Sequence, residues 1–143
     1  MVNGTLIGKR VYLDANPIIY AFENPAEFPG LMSQLLVPLS AGQLWAVTST
    51  VTITEVLNYP IKSGDSTLES AYRQFFVPTQ CFEIVPVSVQ ISELAASLRA
   101  NFGLRTPDAI HVATSQITNC DIFLTRDLSL KVTGLNVITP DAL

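Results

Sequence analysis

The chain has 143 residues, of which 48% are hydrophobic and 14% charged, and its formal net charge is −4. This composition excludes a disordered chain, and the acidic balance excludes a protein that holds nucleic acid through a globally basic surface. The length predicts one domain, residues 1–143. The two cysteines are too few for a disulfide framework, so we expect reduced thiols and a cytoplasmic protein. Residues 28–54 carry no charge, but proline, glycine and polar residues interrupt them, so no membrane span is expected.

Short apolar runs alternate with segments of helical periodicity along the whole chain. In chain order they predict a strand at 10–14, helices at 17–23 and 29–41, a strand at 44–48, a helix from Thr52 to Pro60, a helix at 66–76, a strand at 82–87, helices at 88–102 and 106–118, and strands at 121–125 and 135–138. This alternation favours a parallel α/β sheet covered by helices on both faces. The adjacent helices at 88–102 and 106–118 leave open how the chain returns to the sheet.

Polar residues mark the predicted starts of the helices. The expected signatures are Asn16 before Pro17, Thr52-x-x-Glu55, Ser66-x-x-Glu69, Ser88, and Thr106 before Pro107. Glycines mark two of the predicted helix ends, at Gly42 and Gly103.

Four of the twelve acidic residues fall at junctions that would share one edge of such a sheet. Asp14 ends the first strand, Glu55 opens the helix after the second strand, Asp108 lies in the first turn of a later helix, and Asp127 follows the fourth strand. Ligand sites collect at the carboxyl ends of parallel strands. Each acid alone has a structural alternative, as a turn residue, a capping partner or a complement to the helix dipole.

Together, the four carboxylates would repel one another unless a divalent cation neutralised them, and carboxylate oxygens suit Mg²⁺ or Mn²⁺. The same repulsion predicts that an Asp14→Asn variant is at least as stable as the wild type in a chelator.

Basic residues flank two of these acids. Arg105 and Arg126 lie beside Asp108 and Asp127, where they could position phosphates or serve only as solvated counter-charges. His111, the single histidine, follows Asp108 by three residues and shares its helix face. One histidine cannot be both the acid and the base of a reaction, so a positional or structural role is favoured.

Four segments carry a resemblance to a known family. VYLDANPIIYAF, TSTVTITEVL, TPDAIHVATS and DIFLTRDLSL, in this order, resemble the signature blocks of PIN domains, and most of all those of the VapC-like toxins of type II toxin–antitoxin systems. The resemblance implies a three-layer α/β/α PIN-like sandwich with a central parallel sheet of four to five strands. It also implies a Mg²⁺- or Mn²⁺-dependent endoribonuclease that cuts RNA as the toxin of such a pair.

The resemblance also assigns residues, position by position. It implies Asp14, Glu55, Asp108 and Asp127 as catalytic and metal-binding acids, with Thr125 in support. From their places beside these acids we also expect Asn16 in support and Arg105 and Arg126 at the substrate. Many relatives have asparagine where this chain has Arg126, a departure that bears on substrate contact and leaves the acid in place.

Partners follow from the same resemblance and from surplus apolar surface. The helices at 17–22 and 31–39 carry more apolar residues than one inward stripe needs, which is typical of an interface. VapC-like relatives form homodimers and bind an antitoxin segment in an apolar groove, so we expect both partners here.

Two other functions remain open. A haloacid-dehalogenase-like phosphatase also begins with an aspartate at a strand end, but it usually has a second one two residues later, where this chain has Asn16. A catalytically inactive PIN-fold binding module is the other, and the intact set of four acids argues against it. Metal-dependent cutting of RNA distinguishes the nuclease from both.

Overall fold

The computed structural model describes residues 5–143, and a five-stranded sheet forms the centre of the fold. The strands are β1 Arg10–Leu13, β2 Trp45–Ser49, β3 Phe82–Val85, β4 Ile122–Leu124 and β5 Val137–Ile138. They run parallel in the order β3-β2-β1-β4-β5. The predicted parallel sheet is confirmed, with five strands.

Helices cover both faces of this sheet. They are α1 Ala15–Glu23, a π-helix Leu31–Leu36 that continues into α2 Val37–Ser40, α3 Thr50–Ser63, α4 Ser66–Phe75, α5 Val89–Phe102 and α6 Thr106–Ile117, with 3₁₀ turns at Leu128–Thr133 and Pro140–Ala142. Side chains alternate between the faces of a strand. Val11 and Leu13 of β1 therefore pack with α1, α3 and α4, whereas Tyr12 packs with α5 and α6. The expected three-layer α/β/α sandwich is confirmed.

The α5–α6 pair forms the connection back to the sheet, whose path the sequence leaves open. The two helices pack against each other and carry the chain from β3 at one edge of the sheet to β4 on the far side of β1. Strand order therefore changes direction between β1 and β4, which is where ligand sites form in open α/β sheets. None of the helices in residues 5–143 combines the length and apolar character that a membrane crossing needs.

Two predicted N-caps near this point are wrong. Asp14, not Asn16, caps α1. Its backbone is extended, and its carboxylate accepts the N–H of Ala15, the first residue of the helix. Ser49, not Thr52, caps α3, and its hydroxyl accepts an N–H from the first turn at 3.1 Å. Thr52 therefore lies inside the helix and is fully buried.

Elsewhere the caps differ by one residue. Asp65 rather than Ser66 caps α4, and its carboxylate accepts an N–H three residues on at 3.0 Å. Arg105 occupies the cap position of α6, so Thr106 is the first helical residue. The predicted cap Ser88 is confirmed.

The predicted helix end at Pro60 is wrong, and a second proline, Pro38, lies within helical backbone. Pro60 lies in the last turns of α3, which continues to Gly64 with its positive φ of 71°. The helix predicted at 29–41 is π-helical in its first part, Leu31–Leu36, where the N–H of Val37 donates to the carbonyl of Met32, five residues back. The next residue, Pro38, has no N–H to donate.

Candidate active site

Asp14 stands at the carboxyl end of β1, and both of its carboxylate oxygens are engaged. One oxygen accepts the N–H of Ala15 at 2.7 Å, and the other accepts the hydroxyl of Thr125 at 2.7 Å. The backbone N–H of Asp14 donates to Leu124 of β4 at 3.1 Å. The residue is only 7% exposed. The paired ends of β1 and β4 therefore fix this carboxylate in one orientation.

Thr125 also reaches the last predicted acid. Its oxygen accepts the backbone N–H of Asp127 at 3.1 Å, so one hydroxyl joins Asp14 to Asp127. The Asp127 carboxylate turns the other way and accepts the N–H and hydroxyl of Ser129 at 3.0 and 2.5 Å. The structure brings Asp127 to the same junction, with its side chain capping the following 3₁₀ turn.

Glu55 and His111 complete a compact group with Asp14. Nε2 of His111 lies 2.6 Å from Oε1 of Glu55 and 3.4 Å from Oδ1 of Asp14. Potential ligand atoms of all three side chains lie within 4.8 Å of one another. Glu55 arrives here from the second turn of α3, and His111 from the middle of α6.

His111 is the most enclosed member of this group, with a side chain only 1% exposed. Its Nδ1 lies 2.6 Å from the hydroxyl of Tyr12. Burial opposes protonation of the imidazole, but the hydrogen bond to Glu55 and the charge of Asp14 outweigh it and raise the pKa of His111. A positive charge on this ring compensates part of the negative charge of the carboxylates.

Asp108 lies beside the group without joining it. Its Oδ2 accepts from Nε of Arg105 at 3.0 Å, and its charge contributes to the raised pKa of His111. The Arg105 side chain is 81% exposed. Exposed ion pairs contribute about 1 kcal/mol or less, so the Asp108 carboxylate can turn away from this partner at small cost.

Arg126 is exposed and held by an aromatic pair. Its guanidinium donates to the hydroxyl of Tyr20 at 2.8 Å and lies 5.6 Å from the centre of that ring, which stacks on Phe28. The hydrogen bond to Tyr20 raises the pKa of Arg126, which stays charged. Asn16, predicted in support, lies half-buried in the first turn of α1.

Tyr12 belongs to the site and is absent from the sequence prediction. Its side chain is fully buried, and burial raises the pKa of its phenol well above the ordinary value. The available signal was a tyrosine within an apolar strand, because a buried phenol usually needs a hydrogen-bond partner.

Comparison with known proteins agrees with the fold. The PIN domain family model matches residues 11–135. A toxin–antitoxin complex from Klebsiella pneumoniae has a similar structure, with a TM-score of 0.68 and 25% identity over 92% of this chain and 97% of that chain. An uncharacterised protein from Archaeoglobus fulgidus is 33% identical over 55 residues, which are 38% of this chain and 87% of that protein.

Two more distant structures share the fold. VapBC2 from Rickettsia felis, bound to a promoter DNA fragment, has a TM-score of 0.72 and 15% identity over 91% of this chain and 98% of that chain. FitAB bound to a DNA fragment has a TM-score of 0.73 and 19% identity over 93% and 96% of the two chains. The family model covers most of the sequence, so this chain belongs to the PIN domain family, and its fold is VapC-like.

Proposed function

We propose that this chain is a Mg²⁺- or Mn²⁺-dependent endoribonuclease. Membership of the PIN family supports the broader class, a nuclease. The observation that carries the metal dependence is the approach of Asp14, Glu55 and His111 at the carboxyl end of the sheet. The two carboxylates supply the oxygen donors that suit a divalent cation, and the imidazole beside them holds Glu55 in place.

The residues have distinct roles in this proposal. Asp14 and Glu55 would hold the cation, and Asp108 and Asp127 would complete the site by turning from their present partners, an exposed arginine and a serine. Thr125 keeps the Asp14 carboxylate aimed into the site. A bound cation would activate water and neutralise charge on the phosphodiester.

The substrate contacts proposed for RNA are cationic. Arg105 and Arg126 lie at the same edge of the sheet as the acids, and both guanidinium groups are exposed. Exposed guanidinium groups beside a carboxylate site can bind the phosphates on either side of the scissile bond. In this proposal residues 1–143 act as one cytoplasmic domain.

An RNA-cleavage assay with Mg²⁺, Mn²⁺ or EDTA tests the activity. Wild type and the control Asp65→Asn should cut RNA only with metal, and Asp14→Asn should not cut. Asp65 is a suitable control because it caps α4 on the exposed surface. Cutting in EDTA would contradict the metal dependence. Failure to cut with any metal would favour the binding module, and phosphate release from small esters alone would favour the phosphatase.

We also propose that the chain is the toxin of a toxin–antitoxin pair. The similar structures are described as a toxin–antitoxin complex, VapBC2 and FitAB. A groove of about 680 Å³ between α2, α4 and β3 is the candidate site for an antitoxin segment, and polar residues such as Ser40, Gln74 and Thr79 line it together with the apolar side chains of Leu36, Leu39, Phe75, Val77 and Phe82. Expression of the wild type should arrest bacterial growth, whereas Asp14→Asn should not. Normal growth with an active nuclease would contradict the toxin role.

A further inference from the structure

Tyr12 connects the buried core to the acidic group through His111. The Tyr12 hydroxyl lies 2.6 Å from Nδ1 of His111, and Nε2 of the same ring lies 2.6 Å from Glu55. Both Tyr12 and His111 are almost completely shielded from solvent. A chain of short polar contacts therefore runs from β1 through α6 to a carboxylate on α3.

The surroundings of Tyr12 hold its ring rigidly. The ring stacks on Phe123 of β4, with centroids 4.9 Å apart, and meets the His111 ring edge-on at 5.7 Å. The hydroxyls of Thr48 and Thr52, 2.8 Å apart, also interact with the Tyr12 phenol. Thr48 also donates to the backbone carbonyl of Leu13 at 2.7 Å. The phenol is thus fixed by strands β1, β2 and β4 and by α3.

The contact with Tyr12 determines which nitrogens of the His111 ring carry a proton. A phenol can donate a hydrogen bond to Nδ1 or accept one from it, whereas the carboxylate of Glu55 only accepts. In the neutral ring Tyr12 donates to Nδ1, which leaves the single N–H on Nε2. In the charged ring both nitrogens donate. Nε2–H is directed at Glu55 in either case.

We propose that Tyr12 is a positioning residue that holds His111 so that Nε2–H fixes the Glu55 carboxylate beside Asp14 at the spacing that a divalent cation requires. The inference rests on the proposed metal-dependent function. It adds a buried residue, Tyr12, that positions the ligand side chains without touching the cation. Buried polar contacts of this kind restrict the geometry of ligand side chains, and their loss typically lowers metal affinity by about 10- to 100-fold.

The test is Mn²⁺ affinity, measured by EPR of free Mn²⁺ at one fixed pH, for wild type and Tyr12→Phe. Phenylalanine keeps the stacking on Phe123 and removes only the hydroxyl. Tyr12→Phe should bind Mn²⁺ about 10-fold more weakly. Tyr72→Phe is the matched control, since Tyr72 is also fully buried and donates to Glu23, a residue outside the group. The control should lose stability without losing Mn²⁺ affinity.

A double-mutant cycle separates positioning from a merely structural role. His111→Gln places an amide N–H near the position of Nε2 and removes the partner of Tyr12. If Tyr12 acts through His111, Tyr12→Phe should have no further effect on Mn²⁺ affinity in the His111→Gln background. Equal affinity losses in both backgrounds would overturn the proposal.

Unchanged Mn²⁺ affinity in Tyr12→Phe would also overturn the proposal. If His111→Gln does not fold, the comparison of wild type with Tyr12→Phe is sufficient by itself. The wild type separates this outcome from failure of the proposed function. A wild type that binds Mn²⁺ and cuts RNA, beside an unaffected Tyr12→Phe, refutes only the role of Tyr12. A wild type that binds no Mn²⁺ refutes both.

Discussion

Asp14 has a structural role in the fold in addition to its proposed role in the metal site. The sequence predicts that its neutralisation relieves repulsion among four acids. The contacts in the structure favour the opposite sign, because the carboxylate caps α1, accepts from Thr125 and lies 3.4 Å from the His111 ring. The raised pKa of His111 indicates that the ring gains from this negative charge.

We therefore expect Asp14→Asn to lower the free energy of unfolding in EDTA by about 1–3 kcal/mol, since an amide replaces one buried charged acceptor with a donor. Urea denaturation measures this change. Asp65→Asn is the control and should be nearly neutral, because asparagine and aspartate are comparable N-caps. An Asp14→Asn variant as stable as the wild type would restore the repulsion account.

Arg126 tests the proposed contact with RNA. Arg126→Ala should weaken RNA binding and reduce the slope of log affinity against log salt by about one, because one phosphate contact is lost. Fluorescence anisotropy across a salt series, with Asp14→Asn in both proteins to prevent cleavage, provides the measurement. Arg73→Ala is the control, since Arg73 is paired with Glu69 within α4. An unchanged slope would make Arg126 a partner of Tyr20 alone.

At the scale of elements, the start of α3 decides where Glu55 points. Ser49 caps the helix, so the helix begins at Thr50 and Glu55 lies in its second turn, where its side chain meets His111. A capping box at Thr52 would have engaged Glu55 with the backbone of the helix start. The carboxylate is available to the site because the cap lies three residues earlier.

Ser49→Ala should consequently lower the free energy of unfolding by about 1 kcal/mol, as expected for a lost N-cap. Thermal or urea denaturation in EDTA measures this. Ser66→Ala is a suitable control, because the structure gives the cap of α4 to Asp65 instead. Equal losses in the two variants would contradict the assigned caps.

The sequence predicts elements better than their ends for a physical reason. Apolar periodicity identifies β1, β4 and α6, and the shared edge of parallel strand ends predicts that Asp14 and Asp127 come to the same junction. Adjacent polar residues can all cap a helix, and packing decides which one does so. The contact between Tyr12 and His111 spans 99 residues, and no local pattern encodes it.

At the scale of the whole molecule, most of the surplus apolar surface lies in the core. Ile18, Leu31 and Leu35 are nearly fully buried, whereas Met32 and Val37 remain 48% and 55% exposed. These two side chains are the most exposed part of the predicted interface. A charged residue at Leu35 would test folding rather than association.

If a homodimer forms through this surface, Met32→Glu combined with Val37→Glu should give a monomer in sedimentation velocity at micromolar concentration, because each charge would lose hydration at the interface. Val89→Glu is the control, since Val89 is 76% exposed on α5 in the opposite layer. A monomeric wild type, or a double variant that stays dimeric, would exclude this interface.

Binding of a divalent cation by the carboxylates at the β1–β4 junction is tested most directly by the anomalous difference density of a crystal soaked in Mn²⁺. We expect a peak within direct coordination distance of the carboxylates of Asp14 and Glu55, with Asp108 or Asp127 turned toward it. Saturating Mn²⁺ without density at this junction, in crystals of protein that cuts RNA, would contradict the proposed metal site.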